Sequence, residues 1–156
     1  MIIRKATVND INLLIKLRID YLIYDRGCLS PNEEAAIKKQ LEKYFAKHIP
    51  DNSFIGMLAE IDNTVVSVAY LSISEKPANP SFITGMTGTL LNVLTYPEHR
   101  NKGFATKVIQ RIIEEAEQYG LSSIDLSATS SGKPLYEKLG FHVHVSNYTS
   151  MRMKLI

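Results

Sequence analysis

The stretch from Thr89 to Gly120 most limits how this chain can fold, because it reads as a strand, a small-residue loop and a helix in immediate succession. The helical part carries apolar residues at spacings of three and four, which marks one buried face: Phe104, Ala105, Val108, Ile109, Ile112, Ile113 and Ala116. Gly120 supplies a stop signal. A strand that leads through a tight loop into an amphipathic helix predicts an α/β domain with the helix lying on a sheet.

The loop between the strand and the helix is predicted to hold phosphate groups. The start of a helix leaves backbone N–H groups without partners, and the helix dipole places partial positive charge there. Gly103 and Ala105 let the backbone approach a bulky pyrophosphate, and Arg100 and Lys102 add cationic donors. Neither common nucleotide loop, G-x-x-x-x-G-K-[ST] or G-x-G-x-x-G, is present. The pattern is instead Arg-x-x-Gly-x-Ala.

This pattern resembles the acyl-CoA pyrophosphate loop of the GNAT superfamily of N-acetyltransferases, written [QR]-x-x-G-x-[GA]. The preceding run from Leu91 to Arg100 is similar to that family's fourth strand and its Pro-Glu-x-Arg exit. The run from Pro134 to Phe141 is similar to its Leu-Tyr-x-Lys-x-Gly-Phe signature. The two motifs stand in the family's order and separation, with the expected elements between them, and the resemblance is strong over residues 89–141.

The resemblance implies a fold and an activity. The fold is a GNAT-like mixed, mostly antiparallel central sheet of six to seven strands flanked by about four helices, formed by residues 1–156 as a single domain. The activity is direct transfer of the acetyl group of acetyl-CoA to a primary amine of a small molecule or peptide. Transfer of a different acyl group, and a non-catalytic module that binds acyl-CoA as a ligand, remain the alternatives.

The same resemblance assigns site residues. Tyr136 would be the general acid for the leaving thiolate, and a backbone N–H near Leu94 would polarise the thioester carbonyl. The cofactor-binding residues would be Val93, Leu94, Thr95, Arg100, Asn101, Lys102, Gly103, Phe104, Ala105, Thr106 and Thr129. Thr129 stands where the family often has an asparagine, and Ser130 is an alternative donor.

The general base is not identified by the sequence. Some family members carry a glutamate on the fourth strand, but the matching position lies close to Thr89, and residues 85–95 contain no acid. A water chain, a carboxylate from elsewhere such as Glu60, or a less basic amine remain open. We expect the acceptor pocket between the first two helices and a closing hairpin, near Tyr21, Tyr24 and Tyr148.

The remaining element signals predict an alternating order of strands and helices. Thr7 and Asp10 begin a first helix that Gly27 stops, and Ser30-Pro31-Asn32-Glu33 begins a second. Asp62-Asn63 indicates a hairpin turn. The predicted strands cover residues 2–5, 54–61, 64–74, 89–95 and 123–127, a short helix covers 133–139, and a closing hairpin covers 142–145 and 149–155.

Composition excludes several classes of protein. A net charge of +2 is too small to indicate a nucleic-acid partner, and no apolar run is long enough for a membrane span or a signal peptide. The single cysteine, Cys28, cannot form an internal disulfide, which is compatible with a cytoplasmic location. His142 and His144 lack accompanying ligands, so no metal is expected. The alternating run after Phe141 favours a homodimer.

Overall fold

The computed structural model describes all residues, 1–156, as one five-stranded sheet with helices on both faces. In chain order the elements are β1 (Ile2–Lys5), a 3-10 turn (Val8–Asp10), α1 (Ile11–Arg26), α2 (Pro31–His48), β2 (Phe54–Ile61), β3 (Thr64–Glu75), β4 (Met86–Thr95), a second 3-10 turn (Pro97–His99), α3 (Phe104–Gln118), β5 (Ser123–Asp125) and α4 (Lys133–Lys138). No helix is long and apolar enough to cross a membrane.

The predicted helix boundaries are set by the expected local interactions. Thr7 caps the first 3-10 turn in a capping box with Asp10, and α1 continues from that turn to Gly27, whose φ of 90° ends it. Ser30 accepts a hydrogen bond from the backbone N–H of Glu33, and the Glu33 side chain accepts one from the Ser30 N–H. These side-chain caps satisfy backbone groups that would otherwise lack partners.

The sheet is mostly antiparallel, as predicted. The strands lie in the order β1-β2-β3-β4-β5, in which the first four pair antiparallel and β5 runs parallel to β4. Asp62 and Asn63 form the turn between β2 and β3, both with positive φ, as a two-residue hairpin requires. Two register shifts interrupt the sheet, one in the β2–β3 pairing and one in the β3–β4 pairing.

Two hydrophobic clusters, one on each face, hold the helices to the sheet. On the first face, Leu14, Leu17, Leu41 and Phe45 of α1 and α2 pack on the sheet. On the second, α3 packs through Val108, Ile109, Ile112 and Ala116, all at most 3% exposed. The buried positions of α3 are those of the predicted apolar face. The Tyr70 hydroxyl donates to the Leu14 carbonyl oxygen at 2.6 Å, which fastens α1 to β3.

The predicted closing hairpin is wrong, so the sheet has five strands and not six to seven. Residues 141–156, here called the C-terminal segment, contain no strand. Their alternating apolar pattern suits a strand, but a strand needs a neighbour to pair with, and β5 offers only three residues. Phe141 still packs against the α3 face, but the apolar side chains after it are exposed by 65% or more: Val143, Val145, Tyr148, Met151, Met153, Leu155 and Ile156.

Candidate functional site

The sheet opens between β4 and β5 and creates a cleft. β5 pairs with β4 only at residues 87–89, while β4 continues to Thr95. Beyond Thr89, the edge of β4 that faces away from β3 therefore has no neighbouring strand. A cleft of about 700 Å³ lies there, bounded by β4, the start of α3, the end of α1 and the start of α4.

A bulge in β4 shapes the wall of this cleft. The β3–β4 register shifts so that Val68 lies opposite Leu94 but Tyr70 lies opposite Leu91, which gives β4 one extra residue. Asn92 sits at this point with a φ of 56°, a left-handed conformation that asparagine tolerates better than most residues. As a result, Leu91 and Leu94 both pack on the α1 and α2 face, which strict alternation of side chains would forbid.

The bulge also decides which backbone groups face the cleft, and it corrects the role predicted for Leu94. The Tyr96 N–H donates to the Val66 carbonyl oxygen at 3.1 Å. Because every second residue of an antiparallel strand faces the same neighbour, Leu94, opposite Val68, also directs its N–H toward β3. The backbone groups of Val93 and Thr95 are the ones that face the open edge. The predicted polarising N–H therefore cannot be that of Leu94.

The loop after β4 presents a run of unpaired donors. Asn101 and Gly103 both adopt positive φ, of 60° and 80°, and Gly103 is the N-cap of α3. No backbone N–H from residues 101–106 donates to another atom of the protein; the first bond of the helix runs from the Lys107 N–H to the Gly103 carbonyl oxygen at 3.2 Å. Six consecutive donors at the positive end of a 15-residue helix are suited to an anion.

The two cations of the loop support its backbone. Arg100 Nε donates to the Thr95 carbonyl oxygen at 3.0 Å, and its guanidinium lies 5.8 Å from the centre of the Tyr24 ring. Lys102 Nζ turns back to the Glu98 carbonyl oxygen at 3.0 Å. Arg100 thus connects β4, the loop and α1, while Lys102 points away from the cleft lining.

Tyr136 lies on the α4 side of the cleft and is half-buried. Its ring meets Phe141 edge-on at 6.0 Å, and its hydroxyl makes no hydrogen bond within the protein. Burial raises the pKa of Tyr136 above its usual value, and the Tyr21 phenol adds to the rise. Nearby, the Thr129 hydroxyl accepts a hydrogen bond from the Gly132 N–H at 3.1 Å, ahead of α4.

The fourth wall comes from α1 and includes a residue that the sequence did not reveal. Tyr21, Tyr24 and Asp25 line the cleft, and Asp25 is the one carboxylate among the lining residues. Tyr148 lies instead beside β5 on the C-terminal segment, because the predicted hairpin does not form. Glu60 lies outside the cleft, where it forms an ion pair with Arg4 at 2.8 Å.

The cleft brings together nearly all the predicted site residues. Lys102 is the exception, and the following residues lie in the lining: Val93, Leu94, Thr95, Arg100, Asn101, Gly103, Phe104, Ala105, Thr106, Thr129 and Tyr136. A separate cavity of about 890 Å³ lies between β5, the loop before β4 and the C-terminal segment, and contains none of them. Two motifs more than 30 positions apart in the chain thus meet in one cleft.

Comparison with known proteins identifies the family. A sequence model described as "Acetyltransferase (GNAT) family" matches residues 20–141, which is most of the chain. The chain belongs to the GNAT acetyltransferase family. Its cleft, loop and Tyr136 therefore lie in a GNAT acetyltransferase domain. Curated protein sequences gave no match.

Solved structures agree with the GNAT assignment. A predicted acetyltransferase with acetyl-CoA from Clostridium acetobutylicum is 30% identical, with a TM-score of 0.84 over 97% of this chain and 95% of that one. A ribosomal-protein-alanine N-acetyltransferase from Brucella melitensis is 19% identical, with a TM-score of 0.67 over 99% and 100%. Glucosamine-6-phosphate N-acetyltransferase from Arabidopsis thaliana is 16% identical, with a TM-score of 0.70 over 96% and 97%. The last two share only the fold.

Proposed function

We propose that this chain transfers the acetyl group of acetyl-CoA directly to a primary amine of a small molecule or peptide. The observation that carries the proposal is the run of unpaired backbone N–H groups at residues 101–106, placed at the end of the open edge of β4. The family membership and the similar structure with acetyl-CoA support it further. We propose an amine acceptor because two structures of the same fold are named N-acetyltransferases.

The order of donors along the site suits acetyl-CoA. The pyrophosphate would be held by the donors of residues 101–106, with Gly103 allowing close approach. From there the pantetheine arm would follow the open edge of β4 and pair with the backbone groups of Val93 and Thr95, as an added strand does. The Val93 N–H, which comes directly after the bulge, takes the role of polarising the thioester carbonyl.

The reaction then needs one bond made, one broken and one proton moved. The acceptor nitrogen attacks the thioester carbonyl carbon, the carbon–sulfur bond breaks, the thiolate takes a proton from the Tyr136 hydroxyl, and the proton that the nitrogen loses restores the phenol directly or through water. An unperturbed tyrosine near pKa ~10 and a thiol near ~8.5 make this transfer uphill by roughly 2 kcal/mol. Because burial raises the pKa of Tyr136, the hydroxyl is protonated when the carbon–sulfur bond begins to break, and it donates a hydrogen bond to sulfur before it gives up its proton.

Asp25 is our candidate for the group that receives the proton from the amine. An unperturbed alkyl amine near pKa ~10.4 is about 0.04% neutral at pH 7, a cost of roughly 4.6 kcal/mol. Asp25 lies on the α1 wall of the cleft with its side chain 42% exposed, so it has access to water. A carboxylate there attracts the ammonium form of the acceptor and takes up its proton directly or through water.

We also propose that two copies associate through the C-terminal segment, in the cytoplasm. The segment exposes a row of apolar side chains that a lone copy leaves in water, including Val143 and Val145 at 65% and 85% exposure. The outer edge of β5 has no neighbouring strand and lies beside the segment. A second copy that covers the row and pairs with this edge would satisfy both.

Gly103→Glu should abolish binding of CoA, because the side chain enters the phosphate approach and adds like charge. In wild type, CoA should raise the melting temperature by mass action. Gly120→Glu is a matched control, since Gly120 also has positive φ and open space around its Cα but ends α3 rather than beginning it. Unchanged CoA affinity in folded Gly103→Glu would show that the loop is not the phosphate site.

Tyr136→Phe should lower turnover by at least about tenfold and leave CoA affinity nearly unchanged, since general acids contribute about 10²–10⁴-fold. The loss should be the same from pH 7 to pH 9, because the raised pKa keeps the phenol protonated throughout that range. Thiol release with a panel of amines measures it, and Tyr119→Phe, outside the cleft, is the control. Unchanged turnover would make Tyr136 structural, and CoA binding without thiol release from any amine would indicate a non-catalytic module.

Asp25→Asn should reduce kcat/KM for the acceptor, because it removes the one carboxylate of the cleft, while the CoA affinity stays the same. The reduction should shrink as the pH rises toward the pKa of the amine, where the acceptor is already neutral. Asp62→Asn is a suitable control because it lies in the β2–β3 turn, where asparagine is equally compatible with positive φ. If Asp25→Asn is as active as wild type at pH 7, water and not Asp25 takes up the proton from the amine.

Light scattering at micromolar concentration should give the mass of a dimer for the wild-type protein. The double variant with Val143→Asp and Val145→Asp should give the mass of a monomer, because it places two charges in the proposed interface. Val8→Asp, which charges an apolar residue exposed by 50% before α1, should leave the mass unchanged. A monomeric wild type would exclude this assembly.

A further inference from the structure

Arg18 is a guanidinium without an anionic partner in the protein. It lies on α1, where Nη1 donates to Asn92 Oδ1 at 3.3 Å and the guanidinium carbon lies 5.7 Å from the centre of the Tyr21 ring. No carboxylate oxygen comes within 4.0 Å of it, because Asp20 is held by Lys16 at 2.6 Å and Asp25 by Arg26 at 4.0 Å. The direct contacts of the Arg18 charge are thus an amide dipole and an aromatic face, and Asp25 acts on it only from beyond contact distance.

Burial makes this isolation costly. Arg18 is partly buried, and its removal from water lowers its pKa below the usual value, which shows that its neighbours do not compensate for the lost hydration. An arginine at such a position normally pairs with a carboxylate or another anion. The Arg18 guanidinium is therefore able to pair with an anion supplied from outside the chain.

The Asn92 side chain adds a second donor beside the first. Asn92 is 1% exposed, and its Nδ2 has no hydrogen-bond partner in the protein. The other end of this amide, Oδ1, accepts the hydrogen bond from Arg18, so the free Nδ2 donor lies close to the guanidinium. Buried amide donors are nearly always satisfied, so one without a partner calls for a ligand atom. Asn92 lines the cleft, as does Tyr21.

Arg18 contacts two residues of the cleft lining, Asn92 and Tyr21, which lie on the acceptor side of the cleft. Asn92 precedes Val93 and Thr95, whereas the loop of residues 101–106 follows them, so the two groups of donors flank the open edge of β4 from opposite ends. Arg18, Tyr21 and Asp25 stand at spacings of three and four on α1, which places them along one side of the helix. An anion beside Arg18 would therefore belong to the second substrate and not to the pyrophosphate.

We infer that the acceptor amine carries a carboxylate, and that Arg18 and the Nδ2 of Asn92 bind this carboxylate and so determine acceptor specificity. The inference rests on the proposed transferase function and names its substrate class. An amino acid, or a peptide or metabolite bearing both groups, has this chemistry. One guanidinium and one amide offer planar donors and a single positive charge, which match a carboxylate better than a phosphate dianion.

Binding of matched amines tests the inference without relying on catalysis. The probes are pairs that differ only in bearing a carboxylate or a primary carboxamide, drawn from small α-amino acids and straight-chain ω-amino acids. At about pH 6 both members of each pair carry the same ammonium charge. They are titrated into CoA-saturated protein labelled with ¹⁵N-asparagine, and the side-chain amide signals report binding.

At least one acid should bind about tenfold or more tightly than its amide, and this preference should fall to within about twofold in Arg18→Gln. Arg18→Lys, which keeps the charge and loses the planar fork, should retain only part of it. Arg111→Gln removes an exposed arginine of α3 outside the cleft and should behave as wild type. CoA affinity should be unchanged in all three, which confirms that the variants are folded.

Three results would overturn the inference. The amides could bind as tightly as their acids, the preference for the acid could survive in Arg18→Gln, or no acid could bind at all. Tighter binding of an aminoalkyl phosphonate than of the acid of equal length would overturn the choice of carboxylate. A purely structural role for Arg18 would change stability and leave the acid-to-amide ratio unaltered. Acid-selective binding without thiol release would support the inference and contradict the transferase function, so the two are tested separately.

Discussion

The extra residue in β4 is the constraint on which the site depends. Placing Asn92 in a left-handed conformation shifts the strand by one residue against β3. This shift sets which backbone groups keep the β3 ladder and which face the open edge. It also buries the Asn92 amide where it meets Arg18 of α1. One bulge thus fixes both the edge along which a pantetheine arm would lie and the donors at its acceptor end.

Helices, caps and motifs could be read from the sequence because each depends on neighbours within a few residues. Ser30 and Glu33 cap each other across three positions, and Gly27 and Gly120 supply the positive φ that ends a helix. The loop at Gly103 is similarly local, since its free N–H groups follow from being at a helix start. The predicted start of β4, Thr89, is three residues too late, because the strand begins at Met86.

Features that depend on distant partners could not be read in the same way. Regular alternation along β4 gives no sign of a bulge, so the sequence indicated Val93, Leu94 and Thr95 together and could not tell which of their backbone N–H groups face the cleft. Alternation after Phe141 predicted a hairpin, yet strand pattern alone does not supply a strand to pair with. Asp25 and Arg18 look like ordinary surface charges of a helix until the fold brings α1 against β4.

Under the proposed function, the two ends of the cleft recognise their ligands with different parts of the chain. The loop end uses main-chain N–H groups, which any residue except proline provides, with glycine needed only where φ is positive. The acceptor end would use side chains, those of α1 together with Asn92 of β4, each of which one substitution removes. Tolerance to sequence change is therefore uneven: the loop can diverge and keep its cosubstrate, whereas a few changes at residues 18–25 suffice to exchange one acceptor for another. For protein engineering, that single helix is the place to randomise.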